Sequence, residues 1–224
     1  MARRVSQTVP PEPPRELVAA QRATIEVTEE VLRGVRPGVS EQELAALAEA
    51  LARERGATGV WTPIAAGAGE GNRVCHPDHP PTDRAVAEAD VVYLDLTPDF
   101  GGWPGDVTRS VAVGGDSAHH RIVGDCLGIE RALIAACRPG MPASELFGVA
   151  AAMLTAEGYE LLDLLGNIGH DLGYGAEVTG SIDAGNHAPM WGAWAIEPHI
   201  GRDGLGAKFE DMVWLGPEGV VVVG

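Results

Sequence analysis

The sequence is poor in cysteine and has no long apolar run. Its three cysteines, Cys75, Cys126 and Cys137, share no metal-binding or redox spacing. The amino-terminal text "MARRVSQTVPPEPPRE" has an arginine pair without the apolar core of a secretory signal. No apolar stretch approaches the roughly 20 residues that a membrane-spanning helix needs. These absences predict reduced thiols and a cytoplasmic location, and they argue against a membrane protein.

Basic residues are scarce as well. Sixteen Lys and Arg stand against 32 Asp and Glu, which gives a formal net charge of -16. Such a charge repels phosphate backbones and anionic lipid headgroups, so we expect neither nucleic acid nor a membrane surface as a partner. What is present is the ordinary composition of a globular protein, with 45% hydrophobic residues in a chain of 224, enough for a sizeable core.

Helical patterns occur in two pairs. The first pair covers residues 14–33 and the segment after Ser40, where Glu43 completes a capping box. The second pair covers residues 119–137 and 143–157. Each pair is joined by the text "RPG", which indicates either a weak internal repeat or the common use of Pro-Gly to end a helix.

Strand-like text follows each helix pair. This order, helices and then strands, twice, predicts an α+β fold and not a doubly wound parallel sheet. No linker interrupts the pattern, so we expect a single domain over residues 14–224, preceded by a flexible, proline-rich lead-in over residues 1–13.

Four acidic residues lie on or beside the apolar strand-like text, where charge is unexpected. Asp95 ends "VVYLD", Asp106 opens "DVTRSVAV", Glu197 lies in "WAIEPHIG" and Glu210 in "AKFEDMVWL". A histidine, His170, lies in a similar setting in "GHDLG". Buried carboxylates are costly unless they are paired, hydrogen-bonded or bound to metal. Their presence therefore predicts a polar site and not an apolar core.

The text between the two aspartates, "LTPDFGGWPG", can reverse the chain. Asp95 and Asp106 would then face each other on adjacent strands, where both can stay ionised only if cations neutralise them. Together with His170 and the two glutamates they form an oxygen-rich ligand set. Such a set is typical of sites for divalent manganese, iron or cobalt, and it differs from the thiolate ligands of a typical zinc site.

These motifs in this order resemble the pita-bread metallopeptidases, which include methionine aminopeptidase, aminopeptidase P, prolidase and creatinase. The resemblance is carried by Asp-x10-Asp, Gly-His-x-x-Gly, Ile-Glu-Pro and Glu-Asp before an apolar strand, and it covers nearly the whole chain. It implies two pseudo-symmetric α+β halves around a curved antiparallel sheet. It also implies a pair of divalent metal ions with a bridging hydroxide that attacks the substrate.

The resemblance assigns roles residue by residue. Asp95 would bind one metal ion, Asp106 and Glu210 would bridge both, and His170 and Glu197 would bind the second. Glu197 would also carry the proton during catalysis. The text "RVCHPDHPP" offers His76 and His79 for a histidine of the substrate pocket. His76 is closer to the family pattern and would have a catalytic or substrate-binding role, with a surface loop histidine as the alternative.

The sequence departs from the family near the substrate pocket. Glu177 stands where hydrolytic members usually have a second histidine, and it is a candidate substrate-binding residue. Gly166 stands where the proline-specific branch often has another histidine. The interval between His170 and Glu197 is also shorter than usual. His187 is a candidate to return an imidazole to the pocket, with a catalytic or substrate-binding role, although a surface loop histidine is the alternative.

Three functions stay open at this point. The first is a dinuclear metal-dependent hydrolase, an aminopeptidase or Xaa-Pro peptidase-like enzyme. The second is an enzyme of the same fold with non-peptidase chemistry on a small metabolite, such as amide or C–N cleavage, a lyase reaction or an oxidative step. The third is a silent binding module. A small peptide or small molecule is the expected partner, and a homodimer stays open.

Overall fold

The computed structural model describes residues 9–173 and 180–224. Its four α-helices form two pairs, as the sequence patterns predicted. The bounds are α1 (Arg15–Arg33), α2 (Glu41–Glu54), α3 (Ser117–Ala136) and α4 (Ala143–Glu157). The Ser40 hydroxyl accepts a hydrogen bond from the Glu43 backbone N–H, and the Glu43 carboxylate accepts one from the Ser40 N–H. This capping box fixes the start of α2.

Twelve short strands are present in the described residues. Their bounds are β1 (Gly59–Val60), β2 (Ala65–Ala68), β3 (Asp90–Leu96), β4 (Pro98–Asp99), β5 (Val107–Val113), β6 (Glu160–Leu161), β7 (Gly169–Asp171), β8 (Gly192–Ile196), β9 (His199–Arg202), β10 (Leu205–Lys208), β11 (Asp211–Gly216) and β12 (Gly219–Val222). All pairings among them are antiparallel. The fold is therefore α+β with antiparallel sheets, as expected.

The first half of the chain forms the sheet β2-β3-β5, with α1 and α2 packed on it. The hairpin between β3 and β5 places Asp95 opposite Thr108 and Leu96 opposite Val107. β3 is almost entirely buried because its text "DVVYLDL" supplies apolar side chains to both faces. This rigid hairpin positions the first two acids of the site.

The second half forms the sheet β12-β11-β8-β7 and the sheet β10-β9-β6. α3 and α4 contribute Ile122, Leu133, Leu146 and Leu154 to its core, which also includes Ile196. Burial of such side chains stabilises the fold by about 1.5–3 kcal/mol each. The strands that carry the remaining site residues are therefore held by the largest of the buried apolar clusters.

The two halves meet at Thr108 and Glu210. The Glu210 N–H donates to the Thr108 carbonyl at 3.0 Å in an isolated antiparallel bridge. Close by, the Ser110 hydroxyl donates to the Lys208 carbonyl at 2.8 Å, and the Lys208 N–H donates to the Ser110 oxygen at 3.0 Å. This seam brings strands from the two halves side by side at the site.

Part of the proline-rich lead-in contacts the domain. The Trp214 indole N–H donates to the Pro10 carbonyl at 3.1 Å, and residues 1–8 lie outside the described residues. None of the helices in the described residues has the length and apolar character to cross a membrane.

Candidate metal centre

A cavity of about 240 Å³ lies at the seam between the two halves. All five predicted ligands line it: Asp95, Asp106, His170, Glu197 and Glu210. Other lining residues include Trp61, Cys75, His76, Asp163 and Lys208. The structure thus brings together side chains that are up to 115 positions apart in the sequence, from Asp95 to Glu210.

Strand geometry explains this convergence. Asp95 lies near the end of β3, and Asp106 directly precedes β5, its antiparallel neighbour. His170 is the middle residue of β7, whose register with β8 pairs Gly169 with Ile196, so Glu197 follows at the same end. Glu210 lies between β10 and β11 at the bridge to Thr108. Each ligand therefore projects from a backbone that sheet hydrogen bonds fix.

One part of the site surrounds the imidazole of His170. Its Nε2 lies 3.5 Å from Asp106 Oδ2, 3.5 Å from Glu197 Oε1 and 3.8 Å from Glu210 Oε1. We call this the histidine position. Ligand atoms of Asp106, His170 and Glu210 lie within 4.8 Å of one another, close enough to hold a metal ion.

Two oxygens at the histidine position have no partner. Among the described residues, Asp106 Oδ2 and Glu210 Oε1 are buried without a hydrogen bond, and each residue is only 1% exposed. A buried carboxylate oxygen without a partner is strongly unfavourable. The donor set, three carboxylates and an imidazole, therefore fits a divalent metal ion at this position.

The other part of the site surrounds the ammonium group of Lys208. Its Nζ lies 2.7 Å from Asp95 Oδ2, 2.7 Å from Glu197 Oε2 and 3.6 Å from Glu210 Oε2. We call this the lysine position. Cys75 Sγ donates to Asp95 Oδ2 at 3.1 Å, and the Thr108 hydroxyl donates to Glu210 Oε2 at 2.7 Å. The acids here are satisfied by the chain itself.

Sequence reasoning missed Lys208, although two signals were available. Lys208 is the only lysine among the 224 residues; all other basic residues are arginines. It also precedes Glu210 by two residues in extended backbone, a spacing that puts both side chains on the same face. Its side chain is 8% exposed. A lone, buried lysine beside carboxylates is a strong indication of a specific role.

The two aspartates differ in their proton affinity. Burial alone would raise the pKa of Asp95, but the charge and hydrogen bond of Lys208 outweigh burial and lower this pKa. Burial raises the pKa of Asp106 well above its usual range, and the negative charges of Glu210 and Asp95 raise it further. Burial, followed by the charge of Glu197, raises the pKa of Glu210 to about 8. Asp106, which belongs only to the histidine position, therefore binds a proton more tightly than Asp95, which is paired with Lys208.

The residues predicted to contact the substrate differ in their position relative to the cavity. His76 lines the cavity, half-buried, with its Nδ1 accepting a hydrogen bond from the Asp78 N–H at 3.2 Å. His187 is exposed and does not line the cavity, because its Nδ1 is hydrogen-bonded to the Ser144 hydroxyl at 2.8 Å near the start of α4. The expectation that His187 returns an imidazole to the pocket is therefore corrected. Glu177 lies outside the described residues.

One tryptophan of the five contributes to the wall of the cavity. Trp61 contacts His170 edge-on, with ring centroids 5.7 Å apart, and its indole N–H donates to the Gly105 carbonyl at 3.0 Å. Trp194 and Trp214 are core residues, and Trp191 is exposed. Within the described residues, Trp61 is the only tryptophan that lines the cavity.

The chain matches one family model, described as Metallopeptidase family M24, over residues 15–217. The chain belongs to this family. Members of the M24 family depend on metal and typically use two ions. The close ligand atoms of Asp106, His170 and Glu210 agree with this dependence on metal.

Comparisons with individual proteins agree with the M24 assignment. The chain is 30% identical over 193 residues to the Probable dipeptidase PepE of Mycobacterium bovis, which covers 84% of this chain and 50% of the relative. The chain therefore spans about half the length of the curated relatives that it matches.

Solved structures of M24 proteins have the same fold. Prolidase from Pyrococcus furiosus superposes with a TM-score of 0.85 at 22% identity, covering 94% of this chain and 64% of that one. Methionine aminopeptidase from Thermotoga maritima superposes with a TM-score of 0.79 at 16% identity, covering 96% and 99%. The fold is the pita-bread fold of these M24 proteins, as the sequence motifs indicated.

Proposed function

We propose that this protein is a metal-dependent peptidase that releases the amino-terminal residue of short peptides, including dipeptides of the Xaa-Pro type. The observation that carries the proposal is the convergence of five candidate ligand side chains on one cavity, where two buried carboxylate oxygens have no hydrogen bond to any described residue. Membership of the M24 family supports it, and so does the dipeptidase name of the M. bovis relative.

The cavity favours small substrates. Ligand pockets usually enclose about 300–1,000 Å³, and this one encloses about 240 Å³. Trp61 offers an apolar wall, and His76 offers a ring nitrogen at the rim. A dipeptide or a short peptide end fits these dimensions better than a long chain.

The residues of the site would have three roles: metal binding, proton transfer and substrate contact. Asp106, His170, Glu197 and Glu210 would hold a divalent ion, which when bound polarises a carbonyl and acidifies water. Glu197 would accept a proton and return it to the leaving amine, because its carboxylate faces the cavity between His170 and Lys208. His76 would contact the substrate carbonyl. Oriented groups of this kind act mainly where charge develops in the transition state.

An activity panel tests this function. Metal-stripped protein should be inactive, and manganese, cobalt or iron should restore hydrolysis of aminoacyl and Xaa-Pro dipeptides. His170→Ala should abolish the restored activity, whereas Glu157→Gln, an exposed change on α4, should not. No turnover of any peptide by metal-loaded protein would contradict the proposal.

A second function has one observation in its favour. Lys208 places an ammonium group among the carboxylates, and this group could orient the anion of a small metabolite in non-peptidase chemistry such as C–N cleavage. Metal-loaded protein that hydrolyses no peptide but binds small carboxylates would support this second function.

The native metal and the cellular location are also proposals. The oxygen-rich donor set supports manganese, iron or cobalt as the native metal. A cytoplasmic location is supported by Cys75, Cys126 and Cys137, which are free thiols. Elemental analysis of protein purified without added metal tests the first of these proposals directly.

A further inference from the structure

The carboxylates of the site are arranged around two cation positions that share two ligands. Glu197 offers Oε1 to the histidine position and Oε2 to the lysine position, and Glu210 divides its two oxygens in the same way. Asp106 belongs to the histidine position and Asp95 to the lysine position. The M24 pattern places one metal ion at each.

Only the histidine position needs a cation from outside the protein. Its oxygens Asp106 Oδ2 and Glu210 Oε1 are buried without partners among the described residues. At the lysine position, Asp95 Oδ2 accepts from Lys208 and Cys75, and Glu210 Oε2 accepts from Thr108. Consistently, the cluster of close ligand atoms includes Asp106 but not Asp95.

A second metal ion and the lysine cannot share these oxygens. The Lys208 nitrogen lies at hydrogen-bond distance, 2.7 Å, from oxygens of both Asp95 and Glu197. A metal ion bound to the same oxygens at about 2.0–2.2 Å would collide with the ammonium group and repel its charge. The lysine side chain is 8% exposed, so most of its surface is in contact with the protein.

We propose that this chain binds one divalent cation, at the histidine position, and that the ammonium group of Lys208 takes the place of the second. The inference rests on the proposed function, because it concerns the same metal site. It assigns this protein a one-metal centre within a family that typically uses two. A compact ammonium suits this place better than the planar guanidinium that the chain uses everywhere else.

The number of bound ions tests the proposal. Metal-stripped protein is saturated with Mn²⁺, desalted and analysed for manganese, with a calorimetric titration in parallel. We expect one ion per chain for the wild type and two for Lys208→Met, which frees three oxygens and keeps the side-chain length. Arg73→Met, which removes a cation outside the site, serves as the matched control and should bind one ion.

The outcomes separate this proposal from the proposed function. Two ions in the wild type, or a single ion in Lys208→Met, would overturn the proposal and leave a metal-dependent peptidase intact. No ion in the wild type would overturn both. The expectation of two ions from the family resemblance is decided by the same measurement.

A second measurement needs no variant. Because Lys208 is the only lysine, it and the α-amino group are the only aliphatic amines of the chain. Reductive methylation followed by mass spectrometry should modify the α-amino group and leave Lys208 unmodified, both without metal and with excess Mn²⁺. Methylation of Lys208 on addition of Mn²⁺ would mean that a second ion displaces it, which would overturn the proposal.

Discussion

The protein neutralises neighbouring buried carboxylates in different ways. Asp95 has a cation built into the chain, the ammonium group of Lys208, whereas Asp106 faces His170 with an oxygen that has no hydrogen bond within the described part of the chain. A third buried acid outside the site, Glu130 on α3, has the charges of Arg109 and Arg131 to lower its pKa, but burial followed by the charge of Asp211 outweighs them and raises this pKa to about 9. Burial alone therefore favours the protonated acid, and a closely placed cation such as the Lys208 ammonium group keeps a buried acid ionised.

Removal of the histidine position should have the largest effect. His170→Ala takes away the only imidazole of the ligand set, so metal affinity and activity should fall by more than the roughly 10–100-fold that loss of a supporting partner costs. Competition with a fluorescent chelator measures the affinity. Unchanged affinity would mean that the metal does not bind at the histidine position, and the comparison between the two positions would fail.

Removal of the ammonium should have the next largest effect. In metal-free protein, Lys208→Met leaves Asp95 and Glu197 buried without their cation, and loss of one partner of a buried pair costs about 3–5 kcal/mol. Chemical denaturation in the presence of a chelator measures this loss of unfolding free energy.

A double variant provides the control for that experiment. Asp95→Asn combined with Lys208→Met should recover part of the stability, because the unpaired charge is removed together with its partner. If the single and double variants are equally destabilised, Lys208 acts by packing and not by its charge.

The third prediction concerns Glu130, the buried acid that is neutralised by a proton. The pKa of Glu130 in the folded protein, about 9, lies above the ordinary value of 4.5, so the folded state holds its proton more tightly than the unfolded state does. The contribution of Glu130 to stability is therefore full below about pH 4.5 and is lost as pH rises towards 9. Each pKa unit corresponds to about 1.4 kcal/mol, as an upper limit.

Glu130→Gln should flatten this pH dependence, because the amide cannot lose a proton. Unfolding free energies measured between pH 5 and pH 9 should fall with pH in the wild type and fall less in the variant. Glu157→Gln, on the exposed face of α4, should behave like the wild type. Parallel curves for all three proteins would show that Glu130 is not the group responsible.

The smallest effect is expected at Cys75. Cys75→Ser keeps a donor for Asp95 Oδ2 at the lysine position, so the unfolding free energy should change by no more than the roughly 1 kcal/mol of one ordinary hydrogen bond. The number of bound ions should not change. A change in that number would make Cys75 part of what excludes the second ion.

The sequence predicted the parts of the site that depend on residue type and strand pattern. Acids in apolar text predicted Asp95, Asp106, Glu197 and Glu210 in one site, because a buried charge needs a reason. Capping signals predicted the start of α2, and the turn-rich text predicted the hairpin between β3 and β5. These features are local, or they follow from motifs with a fixed order.

The rest required the three-dimensional arrangement. The proximity of Lys208 to Asp95 depends on strands from the two halves meeting at the seam, a contact between positions 113 apart. His187 was predicted from its place in the sequence, but the turn after residue 180 directs it to Ser144. Whether a loop histidine faces a cavity depends on the path of the whole loop, which residue types do not reveal.

The contact between Thr108 and Glu210 has a consequence for the whole molecule. Glu210 is anchored to the first half through its backbone and through one carboxylate oxygen, and its other oxygen faces the histidine position, where His170 comes from the second half. An ion bound there would cross-link Asp106 of the first half and Glu210 of the second half, which are 104 positions apart in the sequence. Neither half of the chain could assemble the centre alone, so metal uptake would report on the docking of the two halves during folding.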